Sequence, residues 1–350
     1  MKSRFAVAVL AASISSMSFA GTLRHDVLED DYVNYGDGMR LVGGVNFSLT
    51  SFGSGTVIGE QWVLTAAHVI AGADQNSYIT FETDPDPNDH DDIPLSGLFR
   101  VDAFAIHPFY DDVLGPAGGF DLALLHLDAP VTQYTPYGRF AANPASNAEL
   151  GRTGTPVGFG ATGTGLTGYD AQTGGAFRLA GDNVIDALAS DPRVIDQFVA
   201  RDVVDPNTNQ PIHFTQQQIA SQFMLSDFDA PNDPSSGVYQ GVNIMGSATS
   251  LPLEISVAPG DSGGPVFFTE NGNRVVAGIN SFIYGLPVAM GGDGTDNASY
   301  SDLQGYLRVS AFNDWITEVT GIAVPEPTGL LTLFVLPILL KRRTRLGNPV

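Results

Sequence analysis

Three stretches of this chain carry side chains whose type and setting could do chemistry. The first is a serine among glycines, Ala258-Pro259-Gly260-Asp261-Ser262-Gly263-Gly264-Pro265-Val266. The second is a histidine behind two small residues, Thr65-Ala66-Ala67-His68-Val69. The third is an acid at the head of an apolar run, Asp121-Leu122-Ala123-Leu124-Leu125. A serine hydroxyl is inert at neutral pH unless a base takes its proton and N–H groups receive the negative oxygen that forms. His68 is a base of the right type, and Asp121 could fix its tautomer and stabilise its cation. The glycines around Ser262 let backbone N–H groups approach a substrate, with those of Gly260 and Ser262 as the oxyanion donors.

The elements that must hold these groups read as β-structure. Short apolar runs bounded by Gly, Ser and Asn fall at 45–49, 53–58, 61–65, 99–106, 120–127, 156–159, 266–268, 275–282 and 306–309. That density of short strands argues a sandwich or barrel. Between 160 and 250 the pattern is weakest. Asp191-Pro192 predicts a helix start, with Asp191 as N-cap and Val194, Ile195, Phe198 and Val199 as an apolar face. A second helix is expected over 215–225. A closing helix is predicted from Phe312, Trp315, Ile316 and Val319 at helical spacing, capped by Ser310 and ended by Gly321.

The two ends differ from the body. Lys2 and Arg4, an apolar run over 5–14 and Ser18-Phe19-Ala20 form an export signal over 1–20. Residues 21–40 are acidic without a clear period and are expected to be an N-terminal segment or propeptide. Arg40-Leu41-Val42-Gly43-Gly44 could be a cleavage site that frees a new N-terminus, or the start of a strand. At the other end Val324-Pro325-Glu326-Pro327 precedes an apolar run over 330–340 and the basic cluster Lys341-Arg342-Arg343-Thr344-Arg345. That run is short for a membrane span, which needs about 20 residues.

Cysteine is absent, so an exported body must be stable without disulfides. Six of the 16 basic residues and one of the 38 acidic residues lie in the ends, leaving ten arginines against 37 acids and a net charge of −27. Nucleic acid and anionic membrane surfaces are thereby excluded as partners of the body. Residues 82–92 form an acidic loop that could offer oxygens to calcium. It fails the EF-hand template, having Leu95 where a bidentate glutamate belongs. A solvated loop is the expected reading, with calcium admitted but no cofactor required. No metal-binding Cys/His pattern, HExxH or phosphate loop is present.

Chain order separates the hydrolase designs that use these residues. Gly260-x-Ser262-x-Gly264 also fits a nucleophile elbow, but that fold needs its histidine after the serine, and the last histidine is His213. A subtilisin-like order would need an acid before His68, for which Asp26, Asp30, Asp31 and Asp37 qualify only formally. In sequence and order, the blocks around His68, Asp121 and Ser262 resemble the three signatures of the trypsin-like (chymotrypsin-fold) serine endopeptidases. The resemblance covers roughly residues 41–320, loosely over 160–250, where the chain carries a long insertion.

The resemblance implies an all-β fold of two antiparallel six-stranded barrels, a C-terminal helix and a partly helical insertion around 160–250. It implies His68, Asp121 and Ser262 as catalytic residues and a protein or peptide as substrate. Ser281 matches the serine that supports the catalytic acid, and its neighbours, Phe282 first, would pair with substrate backbone. Ser256 falls at the base of the primary specificity pocket. Ile283 and Gln304 fall where small residues keep that pocket open. A serine at its base and bulk at its mouth argue against Lys or Arg and for small or medium apolar side chains. Family members activated by cleavage bury a new N-terminus against the acid beside the serine, here Asp261. The span from Leu41 to His68 looks short for that, so the partner of Asp261 is an open question. The tail resembles the PEP-CTERM sorting signal of Gram-negative bacteria. It implies export through the inner membrane, transient membrane association, an exosortase-type processing enzyme and a final place outside the cell or on its surface.

Overall fold

The computed structural model describes residues 21–48, 51–71, 77–81, 98–171, 177–232, 242–246 and 249–324. The signal segment, the acidic loop 82–92 and the tail from 325 onward lie outside the described residues.

Six strands close into a barrel: Val42–Ser48, Ser51–Gly59, Trp62–Thr65, Ala123–Leu127, Leu98–Ile106 and Tyr78–Thr80, the last pairing back onto the first. Every pairing is antiparallel. The alternation of side chains along a strand sorts the apolar residues between two cores. Val63 and Leu125, which pair directly, fill the barrel with Val45, Val57 and Ile79. Their neighbours Leu64 and Leu124 turn the other way and join the core shared with the second half, against Val157, Phe159, Phe267 and Ile279. An unbroken apolar run such as Leu122–Leu125 is what a strand buried on both faces requires.

The second half is a nine-stranded sheet. Its main path runs through Leu179–Ala180, Thr153–Gly158, Pro265–Glu270, Asn273–Tyr284, Leu303–Arg308, Phe223–Asp227 and Ala187–Leu188. Among the described residues the expected second closed six-stranded barrel is not shown. The chain over 179–188 touches Thr153–Gly158 first and Phe223–Asp227 afterwards, so the sheet curls towards closure. Its edge strands are only two residues long, too short to build a ladder across the gap.

The insertion holds less helix than expected. At 195–197 only a single 3₁₀ turn forms, although the Asp191 carboxylate accepts from the Arg193 backbone N–H as a cap would, and from its guanidinium. A capping box of Thr215 and Gln218 does start a helix, Gln216–Ala220. It stops there because Phe223–Asp227, buried at every position, is taken up as a strand beside Leu303–Arg308. Tertiary pairing outweighs local propensity at that point. The closing helix, Asn313–Thr320, ends on Gly321 at φ 71° and buries Ile316, with Trp315 and Val319 against the shared core. Ser310 does not cap it: the Ser310 hydroxyl donates to the buried Glu149 at 2.6 Å.

Residues 21–40 are built into the body. Gly21–Leu23 forms a strand between Thr162–Thr164 and Ile255–Ser256, and Glu29–Asp37 is a helix. Tyr32 and Met39 are fully buried, and the Tyr32 hydroxyl donates to the Glu254 carbonyl at 2.9 Å.

Candidate active site

His68 sits in the single helical turn Ala67–Ile70 that follows barrel strand Trp62–Thr65. Asp121 enters from the turn before Ala123–Leu127, the strand paired with it. That turn is forced: Phe120 holds φ 59°, a region costly for a bulky side chain, at about 1–3 kcal/mol. It is held there from both sides. Phe120 N–H donates to Gln222 Oε1 at 2.8 Å, and its ring stacks on His107 at 5.0 Å between centroids. The conformation aims the Asp121 carboxylate at His68 while the side chain is fully buried.

Asp121 receives three donors. His68 N–H reaches Oδ1 at 2.9 Å, His68 Nδ1 reaches Oδ2 at 2.8 Å, and the Ser281 hydroxyl reaches Oδ2 at 2.5 Å. An ionised carboxylate only accepts, so Nδ1 carries the proton and Nε2 keeps the lone pair. Burial pushes the Asp121 carboxyl up, but the His68 charge and the hydrogen bonds from His68 and Ser281 outweigh it and hold it below the usual range. For His68 burial disfavours the cation, and Asp121 more than offsets this, raising the imidazole above its ordinary value. Two further histidines pair with aspartates at similar distances, His126 with Asp102 at 2.6 Å and His213 with Asp202 at 2.7 Å, both exposed. Burial and the third donor set the Asp121 pair apart.

Ser262 is brought to the His68 side of the molecule by backbone contacts. Ser54 N–H donates to the Ser262 carbonyl at 2.7 Å. Gly263, at φ 84°, packs so closely that a Cβ would lie 2.1 Å from Thr65 Oγ1 and 3.0 Å from Ala66 N. Thr65 and Ala66 lead directly into the turn that carries His68. No hydrogen bond links His68 to Ser262, as is common before a substrate is bound.

The peptide planes around Ser262 are pinned so that two N–H groups face outward. Pro259 C=O accepts from Ala161 N–H at 2.7 Å, and Asp261 C=O accepts from Gly264 N–H at 2.9 Å and Asn280 Nδ2 at 3.1 Å. Both peptides are trans, so the N–H groups of Gly260 and Ser262 point the opposite way. Among the described residues neither donates to another group. Gly260 adopts φ 101°, closed to other residues, and a Cβ there would meet Gly160 Cα at 2.7 Å.

Asp261 finds backbone partners only. Gly160 N–H donates to Oδ1 at 2.8 Å and Ala258 N–H to Oδ2 at 2.7 Å. Burial pushes its carboxyl up to about 7 against the pull of these two donors. No cation or chain terminus is needed to hold it.

A cavity of about 200 Å³ opens beside Ser262, lined by Val257, Ala258, Pro259, Asn280, Ser281, Phe282 and Ile283. Ser281, Phe282 and Ile283 thus stand at the site. Ser256 and Gln304 do not line this cavity, because both are wholly buried behind its wall. Ser256 pairs with Thr22 in the small sheet, and Gln304 ties the wall together, accepting from Val257 N–H at 3.0 Å and donating to the Ile255 carbonyl at 3.0 Å. Sequence reasoning missed Gln222, Ser54 and Gly160, each of which acts through a backbone contact distant in the chain. Among the described residues, no three of His, Asp and Glu are arranged to hold a metal ion.

The Trypsin family model matches residues 37–176, a span that holds His68 and Asp121 and stops before Ser262. With the closed barrel and the C-terminal helix, this supports a trypsin-like serine protease fold and, at the coarse level, a serine-protease hydrolase acting on protein or peptide. No curated protein matches the chain significantly.

Proposed function

We propose that the protein is a secreted or surface-sorted serine endopeptidase that hydrolyses peptide bonds through His68, Asp121 and Ser262. The observation that carries this reading is the buried chain of hydrogen bonds from Ser281 to Asp121 to His68, which leaves Nε2 free as a base. Nε2 takes the Ser262 proton as Oγ bonds to the scissile carbonyl carbon, and the carbonyl electron pair moves onto oxygen. The N–H groups of Gly260 and Ser262 bind that oxygen. Collapse breaks the C–N bond, and His68 returns the proton to the leaving amine. Water, deprotonated by His68, then releases the acyl group from Ser262.

The cavity favours small or medium apolar side chains over Lys or Arg, since no carboxylate is among its lining residues. Activity needs no cleavage after Arg40. Supporting this, Asp261 is satisfied by backbone, and Leu41 is buried with its carbonyl accepting from Val57 N–H at 3.0 Å. The segment 1–20 directs export, and the tail from Val324 acts as a PEP-CTERM-type sorting signal handled by an exosortase-type enzyme. Their support is the sequence pattern of charge, apolar run and cleavage or sorting motif. A catalytically weak homologue serving as a surface or matrix binding protein is the competing reading.

A peptide library separates these. The exported protein should cleave after small or medium apolar residues, and Ser262→Ala should not cleave. Cleavage after Lys or Arg would refute the pocket assignment, and an inert wild type would refute the enzyme.

A further inference from the structure

Ser54 lies in strand Ser51–Gly59 of the closed barrel, fully buried, in the half that does not carry the nucleophile. All its polar groups are committed. Its N–H donates to the Ser262 carbonyl at 2.7 Å, and its own carbonyl accepts from Thr65 Oγ1 at 2.8 Å. Its hydroxyl donates to the Gly260 carbonyl at 2.9 Å and accepts from Phe159 N–H at 3.1 Å. One residue therefore holds the carbonyls of both residues whose N–H groups face the cleft.

At Gly260 this matters most. A glycine at φ 101° has no side chain to restrict rotation about its Cα, so the plane before it, which carries the N–H, keeps its direction only if the plane on the other side of the Cα is held as well. The plane before it is fixed by Ala161 N–H on the Pro259 carbonyl. The plane after it is fixed by Asp261 N–H on the Ala258 carbonyl and by the Ser54 hydroxyl on the Gly260 carbonyl. A hydroxyl has one hydrogen, and the Phe159 N–H leaves this one only the Gly260 carbonyl to meet. The bond runs from the barrel of His68 to the loop of Ser262, so it also sets how the two halves of the site face each other.

We propose that Ser54 is a positioning residue for the oxyanion donors: its hydroxyl locks Gly260 so that the Gly260 N–H stays aimed at the developing negative charge. This rests on the reading of the site as an acyl-transfer centre.

The test compares the mature wild type with Ser54→Ala and Ser54→Thr. It uses a cleavable peptide, the matched peptidyl boronate, which forms a tetrahedral anion on Ser262, and the matched product peptide, which does not. Ser54→Ala should lower kcat by on the order of 10- to 100-fold with KM within about twofold, and should weaken the boronate by the same factor while leaving the product peptide unchanged. Ser54→Thr keeps the hydroxyl and should stay within about threefold of wild type. The proposal is overturned if Ser54→Ala keeps its kcat, if its loss lies in KM alone, or if boronate and product peptide weaken together. Should Ser54→Ala fail to fold, a folded Ser54→Thr with lost boronate affinity overturns it equally. An inert wild type overturns the enzyme reading and this inference with it; an active wild type with an unaffected Ser54→Ala overturns this inference alone.

Discussion

Asp121 in the first half of the molecule and the acidic cluster of Asp227, Asp229 and Glu254 in the second are buried under opposite terms. In the first, Asp121 is fully buried yet held below the usual range, because an imidazole and a hydroxyl answer its charge. In the second, Asp227, Asp229 and Glu254 are gathered at the end of Phe223–Asp227, where backbone and amide N–H groups donate to their carboxylates. There burial dominates, with neighbouring acids adding to it, and pushes Asp229 up to about 9 and Glu254 up to about 8. Donors that answer a buried charge favour the ionised form, whereas burial among like charges favours the protonated form of Asp229 and Glu254. Under the proposed function Asp121 serves catalysis, and Asp229 and Glu254 make stability depend on pH.

Several changes should break or sharpen that contrast. The largest effect is expected from Asp121→Asn, which keeps the shape but reverses the hydrogen bond to Nδ1 and so imposes the wrong tautomer; kcat/KM should fall by on the order of 10⁴-fold in a protein that still folds. Ser281→Ala removes one donor from the same carboxylate and should cost on the order of 10-fold in kcat/KM, measured with the same peptide. Steady-state rates against pH should rise through the His68 ionisation at a value above that of a free imidazole, since only the neutral ring accepts the Ser262 proton.

Stability should run the other way. An acid whose folded pKa is raised binds its proton more tightly when folded. Between its ordinary range near 4 and its folded value of about 8 to 9, the native state therefore loses stability as pH rises. Thermal melts should show a lower Tm at pH 9 than at pH 6, and Asp229→Asn should flatten that dependence. Activity and stability thus oppose each other across neutral pH. The smallest effect is expected at the exposed His213 and Asp202 pair, which matches the Asp121 pair in distance; Asp202→Ala should change stability by at most about 0.5 kcal/mol and leave kcat unchanged.

The first half was the more legible in sequence, and the reason is physical. Barrel strands buried on both faces leave unbroken apolar runs, and the residues around His68 and Asp121 stand beside them. The helix Glu29–Asp37 left no such mark. It buries only Tyr32 and Gly36, and the glycine is required because a Cβ would lie 2.3 Å from the Arg178 carbonyl. Only Tyr32 among its apolar residues is fully buried, with Val33 and Tyr35 partly so, and no helical period could be read. The first residues of strand Phe223–Asp227, up to Leu225, read as helix because their partner, Leu303–Arg308, lies about eighty residues away in the chain. The site behaved likewise. His68, Asp121 and Ser262 declare themselves by type and neighbours, whereas Gln222, Gly160 and Ser54 act through backbone contacts that no local pattern encodes. Ser256 and Gln304 were placed at the pocket by position relative to Ser262 and Ser281, and their burial behind residues such as Val257 is a tertiary feature that local sequence does not encode.

The central claim is that Ser262 is a nucleophile armed by the buried Asp121 and His68 pair. Incubation of the mature protein with a fluorophosphonate, read by intact mass and peptide mapping, tests it most directly. One adduct on Ser262, forming faster as His68 loses its proton and at least a hundredfold more slowly in Asp121→Asn, is the predicted result. A wild-type protein that stays unlabelled, or carries the label on another residue, would contradict it.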